Sequence, residues 1–366
     1  MAIRRVEIEN FLVFNGEFAA EFCPGVNVLI GGNATGKTTL MKVLYWACET
    51  SDQSVYDEYD AQKKPDNNLT LHLFALRDYF SAYTDYIATN NAPDSDEYIS
   101  KIRVIKHVDD ITEAVLRVSV NKSLDKVRLH IADKTVESLI QHSLWCKERD
   151  LPSTFIPTTE MLSHSRKFLA LYRERYIPFN KTEVDILSKA ELGPTREITP
   201  NAAKVLGKIE AVIDGTVWFD GEDFYVVNES SNKKVKFSFE ASGYRKLGLL
   251  WSLLRNGLLE SGTILFWDEP ENSLNPEHMS TLVDVLLELS RGGIQIFIAT
   301  HSKILASYFA VNRQKEEEVL FLSLYKEGKQ IRADADTRFD LLEPNNLTAE
   351  GVKLYEKELD KSLGGS

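Results

Sequence analysis

The chain has little cysteine, and nothing is arranged around what it has. Cys23, Cys48 and Cys146 are three among 366 residues. They are widely spaced, odd in number, and lack both a C-x-x-C pair and neighbouring histidines. A disulfide framework and a zinc site are thereby disfavoured, and reduced, packed thiols are expected. Also missing is an apolar run of about 18 uncharged residues, the length a bilayer demands. The nearest approach, 248–267, is broken by Arg255 and Glu260 and reads as a buried helix followed by a strand. The opening MAIRR leads into an alternating strand and not into the apolar core of a secretory signal, so a cytoplasmic protein without membrane attachment is expected. Positive charge is short as well: 43 Lys and Arg face 55 Asp and Glu, a net charge of -12. Sequence-independent binding to nucleic acid rests on cations that neutralise phosphates. Direct contact with DNA would therefore need a local patch, for which Lys122, Lys126 and Arg128, then Arg166, Lys167, Arg173 and Arg175, then Lys233, Lys234 and Lys236 are the candidates, each also readable as a solvated face. Finally, no heptad pattern is sustained anywhere between 40 and 240, which excludes long coiled-coil arms.

What the chain does have is a phosphate-binding loop. Gly31 and Gly36 bracket Gly32, Asn33, Ala34 and Thr35, and Lys37, Thr38 and Thr39 follow. This satisfies G-x-x-x-x-G-K-[ST] between an apolar strand (26–31) and a helix (37–49), the context the motif requires. Glycines let the backbone wrap an anion with its N–H groups inward, and the new helix turns its positive end to the same charge. Lys37 is expected to reach the β- and γ-phosphates of ATP, and Thr38 to offer its hydroxyl to Mg²⁺.

Two further strands deliver polar residues at their carboxyl ends. TILFWDEP (263–270) is a buried-type run that ends in Asp268 and Glu269. Asp268 is expected to hold Mg²⁺ and Glu269 to polarise an attacking water. GIQIFIAT (293–300) ends at His301, a candidate to touch the γ-phosphate or steady that water.

Five segments together, 3–18, 31–39, 240–250, 264–276 and 296–302, resemble the ATP-binding-cassette superfamily, and within it the soluble RecF-like and OLD-like AAA-type ATPases. The resemblance implies a P-loop α/β fold: an ABC-type head with a mixed central sheet flanked by helices, an antiparallel β layer and a helical lobe insertion. It also implies that Ala241-Ser242-Gly243-Tyr244-Arg245 is the signature element, departing from L-S-G-G-Q at three positions. In relatives, residues at the places of Ser242 and Gly243 contact ATP held by a partner subunit, so a head-to-tail homodimer or higher even oligomer is implied. A Ser-Gly helix cap is the alternative reading. Asn272, Ser273 and Leu274 match the loop that crosses the interface. Asn10 and Phe11 match a loop near the nucleotide, although Phe11 and Phe14 also read as core residues. A polar residue after the strand at 153–160, Thr159 or Glu160, would sense Mg²⁺, with a helix cap as the alternative.

The expected organisation is an N-terminal core (1–50), an acidic loop and antiparallel subdomain (51–152), a helical lobe with a hairpin (153–240) and a C-terminal core (241–366). Helices are expected near 160–176, 180–191, 201–213, 302–312 and 348–361, and a strand at 234–240. The residues after His301 are too few for a nuclease domain, and Asp334 and Asp336 read as an Asp-rich turn. The resemblance points to an ATP-hydrolysing switch that works with a separately encoded effector or nuclease in phage defence. Its alternatives are a RecF-like ATPase that binds DNA and, less fittingly, a transporter subunit.

Overall fold

A computed structural model describes residues 2–49, 70–71, 98–107, 113–121, 127–129, 152–165, 168, 172, 180–228 and 230–362. The acidic segment 51–68, Cys146, Lys122, Lys126 and the basic residues at 166, 167, 173 and 175 lie outside them.

The strands, in chain order, are β1 (Ala2–Phe11), β2 (Phe14–Glu21), β3 (Val26–Gly31), β4 (Thr70–Leu71), β5 (Tyr98–His107), β6 (Glu113–Asn121), β7 (Val127–Leu129), β8 (Ser153–Ile156), β9 (Thr216–Phe219), β10 (Phe224–Asn228), β11 (Lys233–Lys236), β12 (Ile264–Asp268), β13 (Gln295–Ala299), β14 (Val319–Glu327) and β15 (Gln330–Asp336). The α-helices are α1 (Lys37–Glu49), α2 (Lys181–Ala190), α3 (Pro200–Ile213), α4 (Ser242–Arg255), α5 (Met279–Arg291), α6 (Lys303–Asn312) and α7 (Asn346–Ser362).

The central sheet runs β15-β14-β3-β13-β12-β8, parallel from β14 to β8 with β15 antiparallel at one edge. Every residue of β3, β12 and β13 is buried. That is what continuous apolar runs become when both faces of a parallel sheet are covered. A second sheet, β2-β1-β5-β6-β7-β4, is antiparallel throughout. Ile3, Val6, Ile8 and Phe11 of β1 point inward from it. Between the two sheets lies α1, whose Leu40, Met41, Val43, Leu44, Tyr45 and Trp46 are fully buried against residues of both. Helices α3 to α6 pack on the opposite face of the central sheet. The two sheets are clamped by Gln295, whose side chain accepts from Ile3 N and donates to Ile3 O, both at 2.8 Å. The outer face of β1 carries an ion-pair ladder, Arg5–Glu7, Arg5–Glu21, Arg103–Glu7 and Lys101–Glu9 at 2.8 to 3.0 Å. Exposed pairs of this kind contribute little individually.

Several local expectations need correction. The strand expected at 234–240 ends at Lys236, where Phe237 turns inward and the chain enters a 3-10 turn over Phe237–Phe239. Of the helix expected at 160–176, the described part is a 3-10 turn at Leu162–His164, with helical backbone at Phe168 and Tyr172. Asp334 and Asp336 lie within β15 and not in a turn, accepting from Glu343 N and Arg338 N. Cys48 is buried and Cys23 partly so, and burial pushes the Cys23 thiol up to about 11.

Candidate functional site

The site forms where β3, β12 and β13 end side by side. After β3 the chain turns through Gly31 at φ 143°, Ala34 at φ 58° and Gly36 at φ 91° before α1 begins. A Cβ on Gly31 would lie 2.2 Å from Leu324 O of β14, and one on Gly36 would meet Val13 and Phe14 at 2.8 and 2.9 Å. Sterics as well as backbone freedom thus reserve both positions for glycine. The β1–β2 turn, with Asn10 and Leu12 in left-handed conformation, is therefore a buttress under the loop. Asn10 spends its side chain on Gly16 N, and Phe11 and Phe14 are fully buried.

Lys37 is 6% exposed and donates to Gly31 O and Gly32 O at 2.9 and 3.1 Å. Burial holds its ammonium below the usual lysine range, against the pull of Asp268, Glu269 and Glu271. Thr38 Oγ1 donates to Asp268 Oδ2 at 2.9 Å. Asp268 is 7% exposed, and burial raises its pKa, opposed by hydrogen bonds from Thr38 and Thr158 and by the charges of Lys42 and Lys37. This is a hard oxygen pair fit for Mg²⁺, which is held by few carboxylates plus substrate phosphates. Among the described residues no group of three or more His, Cys, Asp or Glu could hold a metal unaided. A metal at Thr38 and Asp268 would complete its shell with water or substrate oxygens.

Glu269 adopts φ 48°, a strained value for a non-glycine residue. Three contacts hold it there: its N–H donates to Ala299 O at 2.9 Å, and its carbonyl accepts from Lys246 Nζ at 2.9 Å and from Asn272 N at 3.1 Å. The turn aims the carboxylate at His301, with Oε1 3.6 Å from Nε2. Both side chains are about one-third exposed. Glu271 fixes the other strand end, accepting from Thr300 Oγ1 at 2.6 Å and from His301 N at 3.0 Å.

Lys37, Thr38, Asp268, Glu269 and His301 are thus drawn to one place, with Gly32, Asn33, Ala34 and Thr35 forming the loop over it and Thr39 continuing the helix. Ser242 and Gly243 are not: among the described residues no hydrogen bond joins them to 31–39. Gly243 instead packs on its own chain, where a Cβ would lie 2.9 Å from Ser273 O and 3.1 Å from Leu274 Cα. Among the described residues no hydrogen bond joins Thr159 or Glu160 to Asp268 or Glu269. Glu160 caps Ser163 N at 3.2 Å and lies 3.3 Å from Arg245 Nε, while Thr158 reaches Asp268.

Three residues of the site were not singled out from the sequence: Thr158, Lys246 and Glu271. Lys246 is four residues past Ser242, one helical turn on. It is 4% exposed, its ammonium pushed down by burial and pulled up by Glu271, Glu269, Asp268 and Glu160.

The fold is that of structural-maintenance-of-chromosomes head domains. The SMC head bound to the C-winged helix domain of ScpA superposes with TM-score 0.52 at 12% identity, covering 92% of this chain and 98% of that one. The Pyrococcus furiosus SMC head with an extended coiled coil, bound to the C-terminal domain of ScpA, gives 0.50 at 10% identity, covering 97% and 98%. A search of curated proteins finds no match to the sequence. A family model described as "AAA domain, putative AbiEii toxin, Type IV TA system" matches residues 65–307, a span that starts after the phosphate loop and contains both acids and His301. With more than half its length matched and an ABC-type head for its fold, the chain belongs to this family of AAA-domain ATPases.

Proposed function

We propose that the chain is an ATP-hydrolysing switch: two copies close head to tail around ATP and Mg²⁺, and closure governs a separately encoded effector in defence against phage. The observation that carries the catalytic part is the juxtaposition of Thr38–Asp268 with Glu269–His301 at three adjacent strand ends. Mg²⁺ would be held by Thr38 and Asp268, and when bound it neutralises charge that develops on the phosphates. Gly31 to Gly36 cradle the phosphates with backbone N–H groups, and Lys37 leaves its loop carbonyls for the β- and γ-oxygens. Glu269 takes the proton of the attacking water, and His301 orients that water against the γ-phosphate. Ser242 and Gly243 would complete the partner's site from the amino end of α4. Their lack of contact with the loop of their own chain is what such an arrangement requires.

The domain reading follows the same line. Residues 1–50 and 241–366 make one nucleotide core, supported by β3 lying between β13 and β14, with 51–152 an antiparallel subdomain and 153–240 a helical lobe and hairpin whose first strand, β8, joins the edge of the central sheet. The defence role draws support from the family's description as a putative toxin of a toxin–antitoxin system. Among the described residues no helix is long and apolar enough to cross a membrane.

The test of the catalytic reading is Glu269→Gln. Loss of a positioned general base costs about 10²–10⁴-fold in rate. The variant should lose turnover by that factor while retaining ATP, and gel filtration should show it as a stable dimer with ATP and Mg²⁺. Turnover at the wild-type rate would overturn the assignment.

A further inference from the structure

The last helix, α7, leaves the body of the molecule. No residue of it is buried, and all of Val352 to Ser362 are exposed. An isolated helix of this length is marginal in water, so its stability must come from a covered face. Val352, Tyr355 and Leu359, spaced three and four apart, form one apolar stripe, with exposures of 49%, 60% and 40%. Glu356 flanks the stripe on one side. Glu358 flanks it on the other, between the stripe and the exposed Leu354, while Lys353, Lys357 and Lys361 occupy the far face.

We infer that this stripe is the docking surface for a different protein, one presenting an apolar groove or helix rimmed by Lys or Arg. Charge selects that occupant. A second copy of α7 laid against the first would set the Glu356 and Glu358 rims against acidic rims, which disfavours pairing, whereas a basic rim satisfies both flanks. The root of α7 ties this surface to the nucleotide site. Asn346 Nδ2 lies 4.0 Å from the Cβ position of Gly32, Leu347 packs into the core, and Lys303, two residues after His301, lies against Gly351. Just before the helix, Pro344 O accepts from Ser323 Oγ of β14, the strand beside β3. A partner on the stripe would therefore be levered on the phosphate loop and on the segment that follows His301. Identifying this partner with the effector rests on the function proposed above, but the docking chemistry does not.

The experiment uses the full chain without nucleotide and two labelled synthetic helical peptides. Both carry Leu at heptad positions a and d, one with Lys and the other with Glu at e and g. Fluorescence anisotropy should show the Lys-rimmed peptide binding at least about tenfold more tightly, with an advantage that shrinks as salt is raised. Tyr355→Asp with Leu359→Asp should abolish binding, and Glu356→Lys with Glu358→Lys should invert the preference, both with unchanged melting because all four side chains are exposed. Equal affinity for the two peptides, no affinity for either, or insensitivity to these substitutions would overturn the inference. So would a nucleotide-free dimer in sedimentation that Tyr355→Asp and Leu359→Asp dissolve, since the occupant would then be a second copy. Glu269→Gln should leave peptide binding intact, so failure of the docking surface and failure of the ATPase reading are read separately.

Discussion

In the proposed mechanism Asp268 serves a metal better than it serves the fold that holds it. Burial raises its folded-state pKa above the value of about 3.9 it has in an unfolded chain, so the folded protein grips the proton more tightly than the unfolded one. The cost of its ionisation is absent below the unfolded value and fully present above the raised folded value. Asp268→Asn should therefore raise the melting temperature of the nucleotide-free protein at neutral pH, with a gain that fades as the pH falls towards about 4. The same substitution should abolish stabilisation by ATP with Mg²⁺. Thermal unfolding across pH, with and without nucleotide, checks both, and a gain that grows on acidification would refute the reasoning. At this scale the sequence was most legible where chemistry and local order coincide. The loop of 31–39 and the acids at 268 and 269 carry their function in consecutive residues. Thr158, Lys246 and Glu271 do not, because each gains its role from a strand or helix distant in sequence. Thr158 meets Asp268 only because β8 and β12 are parallel neighbours.

Helix α4 is the element that ties the site together within one chain. Its first turn supplies Gly243 against the backbone of Ser273 and Leu274, Arg245 against Glu160, and Lys246 to the carbonyl of Glu269. A shift of α4 must accordingly move the turn that aims Glu269. Lys246→Met keeps the length of the side chain but leaves that carbonyl with the Asn272 N–H alone as its donor. Loss of one hydrogen bond costs about 0.5–1.5 kcal/mol of stability. Release of the strained turn should also lower kcat by up to about 10²-fold, the penalty for misplaced catalytic groups. KM for ATP should stay near the wild-type value, because Lys246 makes no contact with the phosphate loop, and Lys246→Arg should restore much of kcat. Equal losses in kcat for Met and Arg would reduce Lys246 to a packing residue. Element boundaries were legible where period and burial agree, as in β3, β12, β13 and α1. The 234–240 stretch was not, since its alternation continues past Lys236 while Phe237 is claimed by a pocket against Gly248 and Phe224. That tertiary demand leaves no trace in the local pattern.

At the scale of the assembly, the decisive question is whether one nucleotide is served by two chains. The fold was legible because the order of loop, acids and histidine dictates a shared sheet edge, but no single-chain geometry places Ser242 on a phosphate. A twofold dimer makes a sharp prediction, since every contact from one copy to its partner is returned. Lys37→Ala removes the loop's charge in its own site. Ser242→Arg obstructs the site of its partner. Each homodimer should be inactive, but a mixed dimer holds both defects in one site and neither in the other. Random mixing makes half of the dimers mixed, each with one working site of two, so activity should recover to about one quarter of the wild-type rate. Steady-state phosphate release from an equimolar mixture measures this directly. A site completed within one chain would show no recovery at any ratio, because each variant would then carry its own lesion wherever it went.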